Sequence, residues 1–398
     1  MGVSMGRAVL GVSVGWIGIS MIADGVPALL LPHQLLAAGV ADATTLGLTT
    51  LVAIGVAALI QPFAGRWSDR VGRFPVIAAG GAVAVGGLGL LLAPTTATIG
   101  CVVALAGVSI AQAGHQALLP DRIGRPWRGR AGGLKSAFDV AGAFVAFLLL
   151  AALVGSGAAT LAALVLGAAL LTGFGLAFML LATAEPRRMA RADPSGTGPH
   201  RSLLVLVAAR FLFLLGIYVV GRFLLVFVAG RLGLGADEAG GQAGLALAVL
   251  ALVTVVASLP SGWLADRLGR RPLMLAGGLL GAAGIGLMPA ASSIEVVIGF
   301  GALMAIGSAA FGSASWAMLA DITESAHSGR LLGLANAGTA GAAALAGAFG
   351  PIIDAAGFGP AFGVAAACTL TGGLLAWQLT EPDPQTATLV AAPAEGAP

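Results

Sequence analysis

Gly65-Arg66-Trp67-Ser68-Asp69-Arg70-Val71-Gly72-Arg73 is a short charged stretch between two long apolar runs. The pattern returns as Gly262-Trp263-Leu264-Ala265-Asp266-Arg267-Leu268-Gly269-Arg270, followed by Arg271. Each copy has a glycine, an aspartate four residues later and then Arg-x-Gly-Arg. Because glycine tolerates positive φ, the pattern predicts a glycine-bearing turn between antiparallel helices. Two copies indicate a chain that repeats this turn once in each half.

The composition excludes an ordinary soluble domain. Of the 398 residues, 58% are hydrophobic and only 9% are charged, whereas soluble domains carry about 25% charged residues. Too little polar surface remains to cover such an apolar content, so lipid must be the solvent for most of the chain. The net charge of +3 does not indicate nucleic-acid binding, because the basic residues are dispersed among short loops.

Twelve apolar runs are each near the length of about 20 residues that crosses a bilayer, and we number the predicted helices α1 to α12. In the first half they cover 8–31, 44–64, 74–93, 97–119, 131–154 and 160–182. In the second half they cover 202–229, 241–261, 273–290, 295–319, 331–353 and 360–379. The charged, proline-containing residues 186–201 predict a flexible linker, and 381–398 a disordered tail. The predicted domains are therefore residues 1–185 and 202–380.

The basic residues predict the orientation in the membrane. All but three of the 20 lysines and arginines lie on one face, which we call the basic face; it carries the turns at Gly72 and Gly269. The three exceptions belong to α7 or its end: Arg210, Arg222 and Arg231. Cytoplasmic loops are enriched in lysine and arginine. We therefore expect the basic face, the linker and both termini to be cytoplasmic, and we call the opposite face the far face.

A second pair of motifs lies in the same register of both halves. Asp121 ends predicted α4 and is followed nine residues later by Arg130. Asp321 ends predicted α10 and is followed nine residues later by Arg330. Two motif pairs in matching order indicate a duplicated six-helix unit, with the copies related by an axis along the membrane normal.

These paired motifs resemble the signature loops of the major facilitator superfamily of membrane transporters, and the resemblance covers about residues 7–380. It implies an all-α integral membrane fold of twelve transmembrane helices arranged as two six-helix pseudo-repeats. It also implies a multi-pass protein of the plasma or inner membrane that has no enzyme activity and no cofactor. The expected partners are a small-molecule substrate, protons and the lipid bilayer, and we expect a monomer.

The resemblance also implies a gating role for the loop charges. Asp69 would face the start of α11 across the interface between the halves, above a cluster of Arg73, Asp121 and Arg130, and the second half would repeat this arrangement. Such contacts exist only while the cytoplasmic side is closed, so they bias the equilibrium between inward-open and outward-open states. The alternative is that the arginines only set the topology. The gating candidates are Gly65, Asp69, Arg70, Gly72, Arg73, Asp121, Arg130, Gly262, Asp266, Arg267, Gly269, Arg270, Arg271, Asp321 and Arg330.

The first copy departs from the superfamily pattern at one position that matters. The first has Phe74 where the superfamily usually places a second basic residue, whereas the second is complete with Arg271. We therefore expect the two gates to differ in strength.

Charged residues inside the apolar runs are few and therefore informative. Asp24 lies in the far half of α1, and Asp139 and Arg210 each lie about 12 Å into α5 and α7 from the basic face. Intramembrane charges are costly and normally face a cavity or a partner. We expect Asp139 and Arg210 to pair in one state of the protein; the alternative is that Arg210 permanently binds a substrate carboxylate. Arg222, nearer the far face, could instead extend its charge to the interface.

Polar and aromatic residues complete the candidate site. Gln112, His115 and Gln116 form a possible polar patch on α4, with an interfacial histidine as the alternative. Tyr218, Trp316 and Asn336, together with Trp16, could line a substrate site, although lone residues of this kind more often serve packing.

The sequence favours a secondary active transporter that moves a small organic solute by alternating access, driven by protons through Asp24 or Asp139. The chain's one lysine, Lys135, follows a leucine, so a Gly-Lys-Ser/Thr phosphate loop is excluded. The four histidines are too scattered to predict a metal site. Sugar or glycoside uptake and drug or metabolite efflux both stay open as substrate classes. A non-transporting receptor and a subunit of a larger membrane complex are the alternatives from other functional classes.

Overall fold

The computed structural model describes residues 2–40, 42–123, 128–181, 201–322 and 328–379. Every regular element in these ranges is a helix. Twelve of the described helices are long and apolar enough to cross a membrane. The predicted all-α fold with twelve membrane helices is therefore confirmed. The predicted linker at 186–201 and tail at 381–398 lie outside the described residues, apart from Arg201.

The helices of the N-terminal half follow one another with short connections. The first, α1, consists of Gly2–Gly25, a π-helical turn at Val26–Leu30 and the segment Leu31–Ala37. The others are α2 (Ala43–Val71), α3 (Arg73–Leu91), α4 (Ala97–Arg122), α5 (Arg128–Gly155) and α6 (Ala159–Leu181).

The C-terminal half repeats this order. Its first four helices are α7 (Arg201–Leu232), α8 (Ala236–Leu268), α9 (Arg270–Leu287, followed by a 3-10 turn at Met288–Ala290) and α10 (Ile294–Ile322). The eleventh, α11, consists of Ser328–Leu345, a 3-10 turn at Ala346–Phe349 and Gly350–Ala356, and α12 is Phe358–Trp377.

Most of the charged motif is helical, and the predicted glycine-bearing turn is confined to its end. Residues 65–71 form the last two turns of α2, and the reversal occurs at Gly72, with φ +99°. In the second copy α8 continues to Leu268, and Gly269 reverses the chain with φ +91°. Only glycine adopts this conformation without strain, so the second glycine of each motif makes the turn.

Each half packs its helices in the same way. α1 lies against α5 and α6, and α7 lies against α11 and α12. The pairs α2–α4 and α3–α4 recur as α8–α10 and α9–α10. Small residues let backbones approach: a Cβ at Gly107 of α4 would overlap the backbone of Ala84 in α3, and one at Gly277 of α9 would lie 2.7 Å from the carbonyl oxygen of Gly307 in α10. Close packing of this kind holds membrane helices together where lipid supplies no hydrophobic drive.

The two halves meet along α5–α8 and α2–α11. Near the far face these pairs touch through glycines. A Cβ on Gly155 of α5 would lie 2.9 Å from the Cα of Gly241 in α8, and Gly47 of α2 lies directly against the carbonyl oxygen of Gly347 in α11. The halves therefore form a tight seal at the far face.

Candidate functional site

A cavity of about 870 Å³ lies between the two halves. Small-molecule sites in proteins measure about 300–1,000 Å³, so the volume suits a small organic molecule. Its wall comes from α1, α2, α4 and α5 on one side and α7, α8, α10 and α11 on the other. The polar and charged residues of the wall include Ser20, Asp24, Gln61, Ser109, Gln112, Gln116, Lys135, Ser136, Asp139, Tyr218, Arg222, Thr254, Ser308, Asn336 and Thr339.

Asp24 occupies the deep end of this cavity, directly before the irregular part of α1. Pro27 lies in the π-helical turn that follows; it has no backbone N–H to donate, which favours a break in the regular helix. Single π-helical turns are rare and occur frequently at functional sites. The Asp24 carboxylate accepts a hydrogen bond from the Ser20 hydroxyl at 2.7 Å. No cation within 4.0 Å pairs with it among the residues that the structure describes.

Arg222 and Tyr218 of α7 belong to the wall contributed by the other half. They are one turn apart and therefore share a face of α7. Arg222 is only 6% exposed, and its Nε atom has no hydrogen-bond partner among the described residues. The structure corrects the alternative that Arg222 extends to the interface. Because α7 continues to Leu232, Arg222 lies about 15 Å inside the far end of the helix.

Lys135 and Asp139 form a second charged group nearer the basic face. The Lys135 ammonium lies 3.2 Å from the Asp139 carboxylate, one turn along α5. The same ammonium lies 3.6 Å from the centre of the Trp16 ring, a favourable cation–π distance. The i,i+4 spacing of these two charges was the sequence signal for the pair, but it did not enter the prediction.

Arg210 is held away from Asp139. Its guanidinium donates a 2.5 Å hydrogen bond to the Ser315 hydroxyl and stacks 4.3 Å from the ring centre of Trp316. Both partners belong to α10, in the same half as Arg210. Trp316 reaches the cavity wall, whereas Arg210 is buried behind it. The predicted Asp139–Arg210 pair is thus absent from this conformation and stays a prediction for another one.

The predicted polar patch on α4 divides between two environments. Gln112 and Gln116 line the cavity, while His115 is 1% exposed and packs against Trp16 and Phe174. Successive residues of an α-helix are rotated by about 100° around its axis, so His115 does not share the helix face that bears Gln116. His115 is therefore buried inside the N-terminal half and is not interfacial. Of the remaining candidates, Tyr218, Trp316 and Asn336 lie in the cavity wall.

At the basic face, Arg73 connects two acidic side chains of the N-terminal half. Its guanidinium lies 2.6 Å from Asp69 and 2.7 Å from Asp121, and it donates a further hydrogen bond to the Ser68 hydroxyl at 2.7 Å. The Asp69 side chain stays 51% exposed. In the second half, Arg270 donates to the Ala317 carbonyl at 3.3 Å. The predicted side-chain contacts of Arg130, Asp266, Asp321 and Arg330 lie outside the part of the chain that the structure describes.

The far face is closed by polar contacts that the sequence did not predict. Asp354 of α11 accepts hydrogen bonds from the backbone N–H groups of Ala43 and Thr44, at 2.9 and 2.7 Å. At the end of α1, His33 Nε2 lies 2.8 Å from the Asp237 carboxylate at the start of α8. Both contacts join one half to the other. They are distant in sequence and follow no periodic pattern, so no sequence signal pointed to them.

The cavity therefore opens in one direction. It ends below the sealed far face, whereas its wall includes Gln116, Lys135 and Asn336, which lie within about three helical turns of the basic ends of α4, α5 and α11. Within the described residues, the route to Asp24 and Arg222 therefore runs from the basic face.

Comparisons with known proteins agree with this architecture. A bacterial homologue of the iron transporter ferroportin, solved in an inward-facing state, has a TM-score of 0.68 and 16% identity, covering 94% of this chain and 97% of that one. A bacterial homologue of the human lysosomal transporter Spinster, inward-facing and unoccupied, has a TM-score of 0.65 and 14% identity, covering 93% and 94%. At these identities the likeness shows the fold alone.

The family comparison covers residues 16–398 of the chain. No curated protein sequence matches it. The family description "Major Facilitator Superfamily", in contrast, matches residues 16–241 and again residues 206–398. The two matches cover the two halves that repeat each other's helix packing, and the chain belongs to the major facilitator superfamily.

Proposed function

We propose that this membrane transporter is a secondary active transporter that carries a small organic solute by alternating access and is driven by protons. The observation that carries the proposal is the cavity between the halves, open at one face and sealed at the other, with the unpaired Asp24 at its closed end.

The open face is the cytoplasmic one in this proposal. The enrichment of lysine and arginine in its loops supports that assignment, as does the likeness of the fold to two structures solved in inward-facing states. The chain would then lie in the plasma or inner membrane as a monomer with both termini in the cytoplasm. Residues 1–185 and 202–380 would be the two domains that move relative to each other about the linker.

Two sets of contacts would alternate during transport. At the far face, the bonds of Asp354 and His33 across the halves must break before the cavity can open outward. At the basic face, Asp69 is half exposed and, among the described side chains, bound within its own half, which leaves it available to face α11 when that side closes. Since each set exists in one state only, each biases the equilibrium between the states.

Asp24 is the stronger candidate for the proton carrier. Asp139 already has a cationic partner in Lys135 at 3.2 Å. Asp24 has only the Ser20 hydroxyl and no cation within 4.0 Å among the described residues. A carboxylate that takes up and releases a proton during the cycle needs a site in which neither form is locked, and Asp24 meets this condition better.

Reconstitution tests the proposal. A solute that stabilises the purified protein in a thermal-shift screen is loaded outside proteoliposomes, and its uptake is followed with and without an imposed proton gradient. We expect uptake against the solute gradient only when the proton gradient is present. A solute that binds without ever crossing the membrane would instead support a receptor built on this fold.

A further inference from the structure

Arg222 is the cation of the cavity wall that has no carboxylate within ion-pair distance in the described residues, although the charge of Asp24 acts on it from farther away. Lys135 is neutralised by Asp139, and Arg210, outside the wall, is engaged by Ser315 and Trp316. Arg222 makes no ion pair within 4.0 Å in the described residues, and its Nε makes no hydrogen bond there. Burying an unpaired charge is costly, and such groups are normally paired or bind a charged ligand.

We propose that Arg222 binds the carboxylate of a small organic monoanion, and that this anion is the transported solute. The inference rests on the proposed function and adds the substrate class. A guanidinium presents parallel N–H donors that match the two oxygens of a carboxylate, and such bidentate pairs are among the strongest charged hydrogen bonds. The hydroxyl of Tyr218, one turn away on the same wall, adds a neutral hydrogen-bond donor.

The rest of the cavity suits the apolar body of such an anion. The apolar part of the cavity wall includes Ile217, Leu247, Leu250 and Met304 from the C-terminal half, and Leu105 and Phe147 from the other half. A carboxylate attached to a short hydrocarbon or aromatic group would place its charge on Arg222 and its carbon atoms against these side chains. Arg210 cannot serve in this conformation because Trp316 covers it from the cavity side.

A zwitterion is the competing substrate class, since an ionised Asp24 could accept its ammonium group. We favour the monoanion because Asp24 already accepts a hydrogen bond from Ser20 and carries the coupling proton in the proposed cycle. Once Asp24 is protonated, Arg222 is the one uncompensated charge in the described part of the cavity wall.

A matched ligand panel tests the inference. The purified full-length protein is titrated with carboxylates, primary amides, primary amines and α-amino acids built on the same phenyl and short alkyl skeletons. We expect carboxylates to raise the unfolding temperature, and amides and amines of the same skeletons not to. Arg222→Gln should weaken carboxylate binding by about 10-fold or more, and Arg222→Lys should recover part of it.

Arg231→Gln is the control. Arg231 belongs to the same helix, donates to the Ala291 carbonyl at the far face and lies outside the cavity wall, so its loss should leave carboxylate binding unchanged. Without ligand, Arg222→Gln should unfold at the same temperature as the wild type or a higher one, because it removes an uncompensated buried charge. A large fall in that temperature would show that Arg222 has a structural partner and would contradict the inference.

Three further outcomes would overturn the inference. Amino acids, amines or amides could bind more tightly than the matched carboxylates. Carboxylate binding could survive Arg222→Gln, or no carboxylate of the panel could bind at all. The proposed function fails separately. Proteoliposomes that transport a neutral or cationic solute independently of Arg222 would preserve the transporter and refute the anion site. Carboxylates that bind through Arg222 but never cross the membrane would support the anion site and refute the transporter.

Discussion

The carboxylate of Asp354, near the end of α11, lies 2.7 Å from the backbone nitrogen of Thr44, in the first turn of α2. With a second bond to the Ala43 nitrogen at 2.9 Å, Asp354 caps a helix that belongs to the other half of the molecule. The first N–H groups of a helix have no partner within the helix, and negative charge is favourable there. Capping of a helix N-terminus, which usually involves a neighbouring residue of the same chain segment, here joins the two halves at the far face.

Asp354→Asn should shift the protein toward the conformation that is open at the far face. The change removes the charge and one of the two acceptor oxygens, which we expect to weaken the closed far face by about 1–2 kcal/mol. Double electron–electron resonance between spin labels on Thr45 and Ala356 should then show a larger population at long distances.

Asp42→Asn is the matched control, because Asp42 caps the same helix at 2.7 Å from the Thr45 nitrogen but belongs to α2's own half. It should lower stability slightly without changing the distance distribution. An equal shift in both variants would show that the state responds to α2 stability and not to the bond across the halves.

Asp237→Asn should have a smaller effect than Asp354→Asn. Both aspartates are exposed. Asp237 makes a single pair with His33 at 2.8 Å, and exposed charge pairs contribute about 0–1 kcal/mol, whereas Asp354 accepts two hydrogen bonds from backbone N–H groups at the start of a helix. The same spin-label pair should show a smaller shift for Asp237→Asn. If it exceeds that of Asp354→Asn, the helix cap is not the main closing contact at this face.

Much of the fold was predictable because it depends on apolar runs and short motifs that can be read from neighbouring residues. Runs of about 20 apolar residues give the number of membrane helices, and the repeated glycine motifs give the duplication. The helix ends were less predictable: α8 begins at Ala236 and ends at Leu268, beyond the apolar run 241–261, because helices continue past the apolar core into polar segments. Gly72 was inside the quoted motif, but nothing in the sequence showed that Gly65 would remain helical.

The sequence predicted those site residues whose polar or charged side chains are unusual inside an apolar helix. Asp24, Tyr218 and Gln112 were recognised because polar groups in apolar helices are rare, and all three line the cavity. Arg222 was equally visible as an intramembrane charge, but its depth depends on where α7 ends, and the apolar run stopped three residues short of Leu232. The far-face contacts of Asp354 join residues more than 300 positions apart, which no local pattern encodes.

Asp69→Asn should move the equilibrium in the opposite direction to Asp354→Asn. Among the side chains that the structure describes, Asp69 is bound to Arg73 alone. We therefore expect the change to destabilise this state less than the state in which the basic face is closed. Spin-label distances across the basic face, between Arg70 and Arg267, should lengthen on average. Unchanged distances would leave Asp69 with a role in topology or folding alone.

Asp24→Asn should abolish proton-driven accumulation while exchange of the solute across the membrane continues, because an amide cannot carry the proton. Asp139→Asn should retain coupling, since Asp139 is already paired with Lys135. Counterflow and gradient-driven uptake, measured in the same proteoliposomes, separate the two effects. Accumulation that persists in Asp24→Asn and is lost in Asp139→Asn would assign the proton to α5 instead.

Alternating access is tested most directly by the accessibility of the cavity from each face. A single cysteine replaces Ser308, which lines the cavity from α10, in a protein without Cys101 and Cys368, and an impermeant maleimide is applied to one side of sealed vesicles at a time. The cysteine should react from the basic face in the otherwise wild-type protein, and also from the far face when Asp354→Asn is added. Reaction from the basic face alone in both proteins, with an unchanged rate, would contradict alternating access through this cavity.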